Sequence, residues 1–477
     1  MGYKKTAIII DMPSIQRYIF ASNRLRHNIG ASYIVKRLYD EPMKEALEGV
    51  KEGEDFKIGY KGGGNALLLF KNPEKAKEFI KKYSKVVMEY FPGVVLAFGM
   101  IEDFDESNTQ DSLKRLHYNL KENRSKYLPI VNINKWGITR DCPESYESAE
   151  VYNSDDKNFI SKVVKAKLKA FEIGKGYFDS YLEEYKDYIF PSELSKCTLM
   201  GNDKGDDTSN PYIALVHIDG NKMGERFRAC KSIDELKRLS ESVEEATRQS
   251  FKSVVERVID LHKKDQISLR QENGKYLMPL RPIILGGDDI TFVCDAKLGL
   301  ELAKYFIDTF SKSKVSDGKP LSACGGVFIV KAKYPFFKSY TVAEELTSEA
   351  KKASREKEGS YISFAIAKSG FTGDWKNFSK TYYKATEGNV RFSPYNVEEL
   401  NELFKVTYEF KNKWPRSKVY ELRELLFDKK EKIKMFLYEV KEKHNLELEE
   451  YEDYKEHIWK NGKTPYFDAI ELMEFVP

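Results

Sequence analysis

One series of strand and helix patterns occurs twice in this chain, and that repeat restricts its possible folds more than any single motif does. The stretches "KTAIIIDMPSIQRYIF" (5–20) and "YIALVHIDGNKMGERF" (212–227) each run from apolar residues into an aspartate, Asp11 or Asp219, then into a turn and a helix-like segment. Downstream, "DFKIGYKGGGNALLLFKN" (55–72) and "RPIILGGDDITFVCDA" (281–296) each read as two apolar strands about a glycine-led turn. A helical pattern follows each hairpin, at 72–91 and 296–313, and leads to one more strand, at 93–101 and 321–332. Both copies therefore read β-α-β-β-α-β, the ferredoxin-like order.

Nucleotide-polymerising palm domains use this order. The prediction is an α+β protein with two ferredoxin-like (palm/GGDEF-type cyclase) domains joined by a helical linker, plus a helical C-terminal domain. A length of 477 residues is too great for one hydrophobic core and agrees with several units. The boundaries are placed at 1–135 for a degenerate first palm, 136–210 for a helical linker region without zinc, 211–370 for a catalytic second palm with its GGDD turn, and 371–477 for the C-terminal helices. Within the linker region 160–190 reads as helical and 200–211 as an exposed connection, while 397–414, 416–444 and 464–475 carry apolar residues at helical spacing.

The two copies differ where chemistry is expected. The second turn is Gly286-Gly287-Asp288-Asp289, and the first is Gly62-Gly63-Gly64-Asn65, so only the second carries carboxylates. With Asp219 at the end of a partner strand, three carboxylates meet at one sheet edge of the second copy. Close like charges destabilise one another unless protonated or neutralised. Hard oxygen ligands of this kind are what Mg²⁺ or Mn²⁺ takes while also holding substrate phosphates. Gly286 and Gly287 leave room for a phosphate or base to approach the backbone. In the first copy Asp11 survives, but alone it cannot hold two divalent cations.

Composition excludes several other classes. The net charge is only +4, from 79 basic and 75 acidic residues, so there is no global basic field of a dedicated nucleic-acid binder. The five cysteines form no CxxC pair, and the six histidines no HxxxH or HExxH pattern, which argues against a zinc knuckle, a disulfide framework or a zincin. His217, one residue before Ile218-Asp219, reads as a packed strand residue. No apolar run is long enough to span a membrane, and a cytoplasmic location is expected.

The motif series is similar to a known family. "HIDGNKMGERF" (217–227), "LGGDDITFVCDA" (285–296), "SACGGVFIVKAKYPF" (322–336) and "LTSEAKKASREKEG" (346–359) resemble the second palm of the large polymerase-like subunit of type III CRISPR effector complexes, the CRISPR polymerase/cyclase family. "DMPSIQRYIFASNRLRHNIGASYIVKRL" (11–38) and "GYKGGGNALLLF" (59–70) resemble its degenerate first palm, and "RFSPYNVEELNELF" (391–404) and "WPRSKVYELRELL" (414–426) its C-terminal helices. The resemblance implies a two-metal nucleotidyltransferase that joins ATP into cyclic oligoadenylate second messengers for antiviral defence. By position it makes Asp219, Asp288 and Asp289 the metal ligands and catalytic residues, with Mg²⁺ or Mn²⁺ as the cofactor. Gly220, Asn221, Gly286 and Gly287 would line the nucleotide, and Lys351 would reach its triphosphate. Gly30, Ala31, Ser32, Gly63, Gly64 and Asn65 would hold an acceptor ATP in the first palm.

The resemblance also implies CRISPR effector subunits and guide or target RNA as partners. Many family members carry an HD nuclease domain and a cysteine-ligated zinc element. This sequence has no His-Asp pair and only Cys142 and Cys197 between the palms, so neither DNA cleavage nor zinc is expected. Two further readings stay open: a stand-alone synthase of a cyclic dinucleotide or adenylated small molecule, acting as a homo-oligomer, and a catalytically silent scaffold that grips RNA or protein.

Overall fold

The computed structural model describes residues 4–62, 64–126, 140–155, 157–200, 210–368, 373–448 and 458–477. Strands β1 (Lys5–Asp11), β2 (Phe56–Gly62), β3 (Asn65–Phe70) and β4 (Ala97–Phe104) form an antiparallel sheet in the order β2-β3-β1-β4. Helices α1 (Ile15–Ile19) and α2 (Leu25–Arg37) follow β1, α3 (Pro73–Tyr90) follows β3 and α4 (Thr109–Lys126) follows β4. Asn72 starts α3 by accepting from the Glu74 amide ahead of a proline at the first helical position. The inner strands are buried on both faces, which is why they read as continuous apolar runs.

The second copy repeats this order with longer elements. Strand β5 (Tyr212–Gly220) lies between β7 (Asp289–Asp295) and β8 (Ala323–Lys331), and β6 (Leu280–Gly286) pairs with the outer side of β7. Helix α6 (Ile233–Lys263), capped by Ser232 accepting from Glu235, crosses from β5 to β6; α7 (Gly299–Lys312) joins β7 to β8. Helix α8 (Phe336–Glu356) then returns the chain to β9 (Tyr361–Ala367), which runs parallel to β8. The short β10 (Tyr395–Asn396) extends the sheet to six strands. Both sheets keep the ferredoxin-like order that the repeat predicts.

Residues 160–190 are not helical throughout. Helix α5 (Lys162–Gly174) ends where Gly174 packs against the Tyr33 ring, which would lie 2.3 Å from any added Cβ, and a 3-10 turn and a short strand follow. Most of the expected connection at 200–211 lies outside the described residues. The C-terminal helices α9 (Val397–Asn412), α10 (Arg416–Leu425), α11 (Lys430–His444) and α12 (Tyr466–Leu472) share one continuous apolar core with both sheets.

The palms are joined at several points. The Ser32 hydroxyl on α2 donates to the Ile283 carbonyl on β6, and Lys57 on β2 pairs with Asp234 on α6 at 2.9 Å. Phe20, just past α1, stacks on Tyr340 of α8 with centroids 4.0 Å apart. No helix among the described residues is long and apolar enough to cross a membrane.

Candidate functional site

Two of the three acidic residues are brought face to face by strand register, and the third, Asp288, sits in the turn beside them. Asp219 at the end of β5 is the direct antiparallel partner of Asp289 at the start of β7, and Gly286 is the partner of Asp289 on the other side. Gly287 and Asp288 form the turn between them. Gly287 has φ +60° while Asp288 does not have a positive φ, the pattern of a type II′ hairpin, in which the first central residue is glycine. Thr247 of α6 holds the turn by donating to the Gly287 carbonyl at 2.5 Å, and the Gly220 amide donates to the Asp288 carbonyl at 3.1 Å. A Cβ on Gly220 would lie 2.7 Å from the Asp288 Cβ, so Gly220 is the residue that admits the Asp288 side chain.

Each carboxylate has a different environment. Asp219 accepts from Lys351 of α8, whose ammonium also donates to the Gly220 carbonyl at 3.3 Å. Asp289 Oδ2 accepts from the Gln16 amide of the first palm at 3.5 Å. His217 Nδ1 lies 3.4 Å from Asp289 Oδ1 but bonds Thr291 at 3.1 Å, so Oδ1 stays buried without a hydrogen bond. Burial, and after it the neighbouring Asp219 charge, push Asp289 up to about 7 and raise Asp288 in the same direction. Burial lowers His217, which keeps that ring neutral.

A cavity of about 190 Å³ opens on this edge, lined by Asp219, Asp289, Lys351 and His217 together with Gln16, Glu344, Thr347 and Ser348. A second cavity of about 280 Å³ lies between the palms, where Gly62, Gly64, Ser32, Lys36 and Lys61 face Gly286, Leu285 and Asp289. The donors suit a hard cation. However, no three His, Cys, Asp or Glu side chains among the described residues converge into a ready-made ligand set. Mg²⁺ does not need one, since it binds through one or two carboxylates plus phosphates and water. The orphaned Asp289 oxygen and the Asp219 carboxylate fit that role.

The first palm repeats the geometry with different charges. Asp11 is the direct partner of Asn65 as Asp219 is of Asp289. Arg124 on α4 reaches Asp11 at 3.3 Å as Lys351 on α8 reaches Asp219. The strand-end acid and its cation are therefore retained, and the turn carboxylates are not.

Several residues expected at a nucleotide sit elsewhere. The Asn221 amide donates to Ser322, Ser354 and the Gly359 carbonyl at 3.1–3.2 Å, so it staples the end of α8 and lines neither of the two cavities described above. Gly30 is a packing glycine: a Cβ there would lie 1.9 Å from the Lys167 carbonyl of α5. Ala31 is buried in the core, and Ser32 bridges the palms while also lining the larger cavity. Gly64 and Gly286 line that cavity too, Asn65 stands opposite Asp11, and Gly63 lies outside the described residues. Sequence reasoning did not find Gln16 and Glu344. Glu344 had a signal, since it lies two helical turns before Lys351 on one face of α8. Gln16 had none, because it comes from the other palm.

Comparison with known proteins agrees with this fold. Residues 212–359 match the family model described as Cas10/Cmr2, second palm domain. The second palm is Cas10-like. No curated protein matches it. Among solved structures, a Csm1–Csm4 cassette in complex with one ATP aligns over 100% of this chain and 70% of its own, with 13% identity and a TM-score of 0.60. A Csm1–Csm4 cassette with AMPPNP gives 99% and 70% coverage, 15% identity and 0.59, and Csm1 from T. onnurineus 100%, 70%, 13% and 0.57. At such identities the likeness concerns the fold alone, and function must be argued from the site.

Proposed function

We propose that this chain is a metal-dependent nucleotidyltransferase that joins ATP into cyclic oligoadenylates as the large subunit of a CRISPR-type effector. The observation that carries the reading is the cross-strand pair Asp219 and Asp289, set beside Lys351 in a cavity that the first palm closes with Gln16. Mg²⁺ or Mn²⁺, when bound, would neutralise the carboxylates and stabilise charge on the transferring phosphoryl group. Asp219 and Asp289 are the residues that would hold it, with Asp288 beside them. Lys351 brings a cation to the same cavity for the phosphate oxygens.

The second cavity supports a reaction between two nucleotides. Its apolar walls, Ile15, Ile19, Val35 and Leu285, suit a base or ribose, and it adjoins the carboxylates. Csm1 in the two matched cassettes is paired with Csm4, so a Csm4-like subunit is the first partner to seek. Guide and target RNA are proposed as the further partners of that complex.

The test is product analysis by mass spectrometry after incubation with ATP and Mg²⁺ or Mn²⁺, for the chain alone and for the complex purified from cells. A cyclic adenylate that disappears with Asp288→Ala/Asp289→Ala supports the reading. A dinucleotide or adenylated small molecule would replace the proposed product, and no product from the intact complex would leave a scaffold.

A further inference from the structure

Gln16 and Asp289 are the two residues that line both cavities of the site. Their contact at 3.5 Å therefore stands between the carboxylate cavity and the apolar cavity, and it joins residues 273 positions apart, one from each palm. The short helix α1 that carries Gln16 is held from three sides. Ile15 packs onto Gly64, where an added Cβ would lie 2.0 Å from its Cδ1. Ile19 is buried in the core, and Phe20 stacks on Tyr340 of α8, the helix that also carries Lys351 and Glu344. This is firm support for a half-buried polar side chain.

The direction of the hydrogen bond matters. A carboxamide donating to Oδ2 leaves Oδ1 as the buried oxygen without a hydrogen bond. The carboxylate is thus held at one oxygen while the other keeps its lone pairs unused, and hydrogen bonds of this kind are how outer-shell partners orient a metal ligand.

We infer that Gln16 is a positioning residue by which the first palm completes the cation site of the second, orienting Asp289 across the boundary between the two cavities. The inference rests on the nucleotide site proposed above and deepens it: the second palm's metal affinity depends on a first-palm side chain. A molecule that extends from one cavity to the other must pass this contact, so nucleotide binding between the palms is coupled to the geometry of Asp289.

Mn²⁺ binding tests this on the full chain, followed by the loss of the free Mn²⁺ paramagnetic resonance signal, with and without a non-hydrolysable ATP analogue. Gln16→Met keeps length and helix propensity but removes the donor. It should bind Mn²⁺ about tenfold more weakly, within the 10–100-fold range for loss of an outer-shell partner, with an unchanged melting temperature in EDTA. Unchanged Mn²⁺ affinity in Gln16→Met would overturn the inference while leaving the proposed site intact. Absence of Mn²⁺ binding in the unaltered chain would overturn both. If Gln16→Met melts early, Gln16→Asn, one methylene short, should show the same weakening, and unchanged affinity there would also refute the idea.

Discussion

Asn65 and Asp289 occupy the same register position in the two sheets, each directly across the ladder from a strand-end aspartate. The first palm thus shows what the second would be without its charge pair. Asp289→Asn should cut product formation by at least about 10²-fold, since loss of an outer-shell partner alone costs 10–100-fold. The same change should stabilise the metal-free protein by about 1–2 kcal/mol, because burial and Asp219 both oppose the ionised Asp289 side chain. Urea unfolding in EDTA, beside the product assay, reads both effects.

Gly220 tests how tightly the turn is seated. In Gly220→Ala the new methyl would meet the Asp288 Cβ at 2.7 Å and must displace the turn. Expected outcomes are a loss of about 1–3 kcal/mol, the usual range for overpacking, and a fall in kcat larger than any rise in KM for ATP. Unfolding curves and steady-state kinetics on one preparation separate the two.

Gly30→Ala should affect stability alone. Its Cβ would fall 1.9 Å from the Lys167 carbonyl, a backbone atom that can move only if α5 shifts away from α2. A loss of about 3 kcal/mol or more is expected, with the KM for ATP unchanged in the folded fraction. A raised KM at unaltered stability would return Gly30 to the nucleotide.

Asp468 should give the stability profile a pH slope. Oδ2 accepts from the Phe392 and Ser393 amides and from the Tyr395 hydroxyl, yet burial outweighs these bonds and pushes the carboxyl up to about 6. Because the folded state holds this proton more tightly than the unfolded chain, the contribution is complete below the ordinary value of 3.8 and is lost as pH rises to about 6. The loss is on the order of 3 kcal/mol. Asp468→Asn should flatten that part of the curve, as measured by urea melts between pH 4 and 7.

The α+β class and the duplicated strand order were legible because they rest on local periodicity, two residues for strands and 3.6 for helices. The close approach of Gly174 to the Tyr33 ring was not, since it depends on how α5 packs against α2. Asn221 shows the same limit within the site: its place after Asp219 suggested a nucleotide contact, but Ser322, Ser354 and Gly359 are there to take its amide.

What this sequence determined by itself was the order of the elements and the positions of the acids along them, because both depend on neighbours within a few residues. Only the tertiary structure decided that Asp219 faces Asp289, that Lys351 reaches the first and that Gln16 reaches the second. Those contacts join residues 70 to 273 positions apart. Partners at such separations are chosen by strand register and by the packing of one palm on the other, and neither leaves a local pattern in the chain.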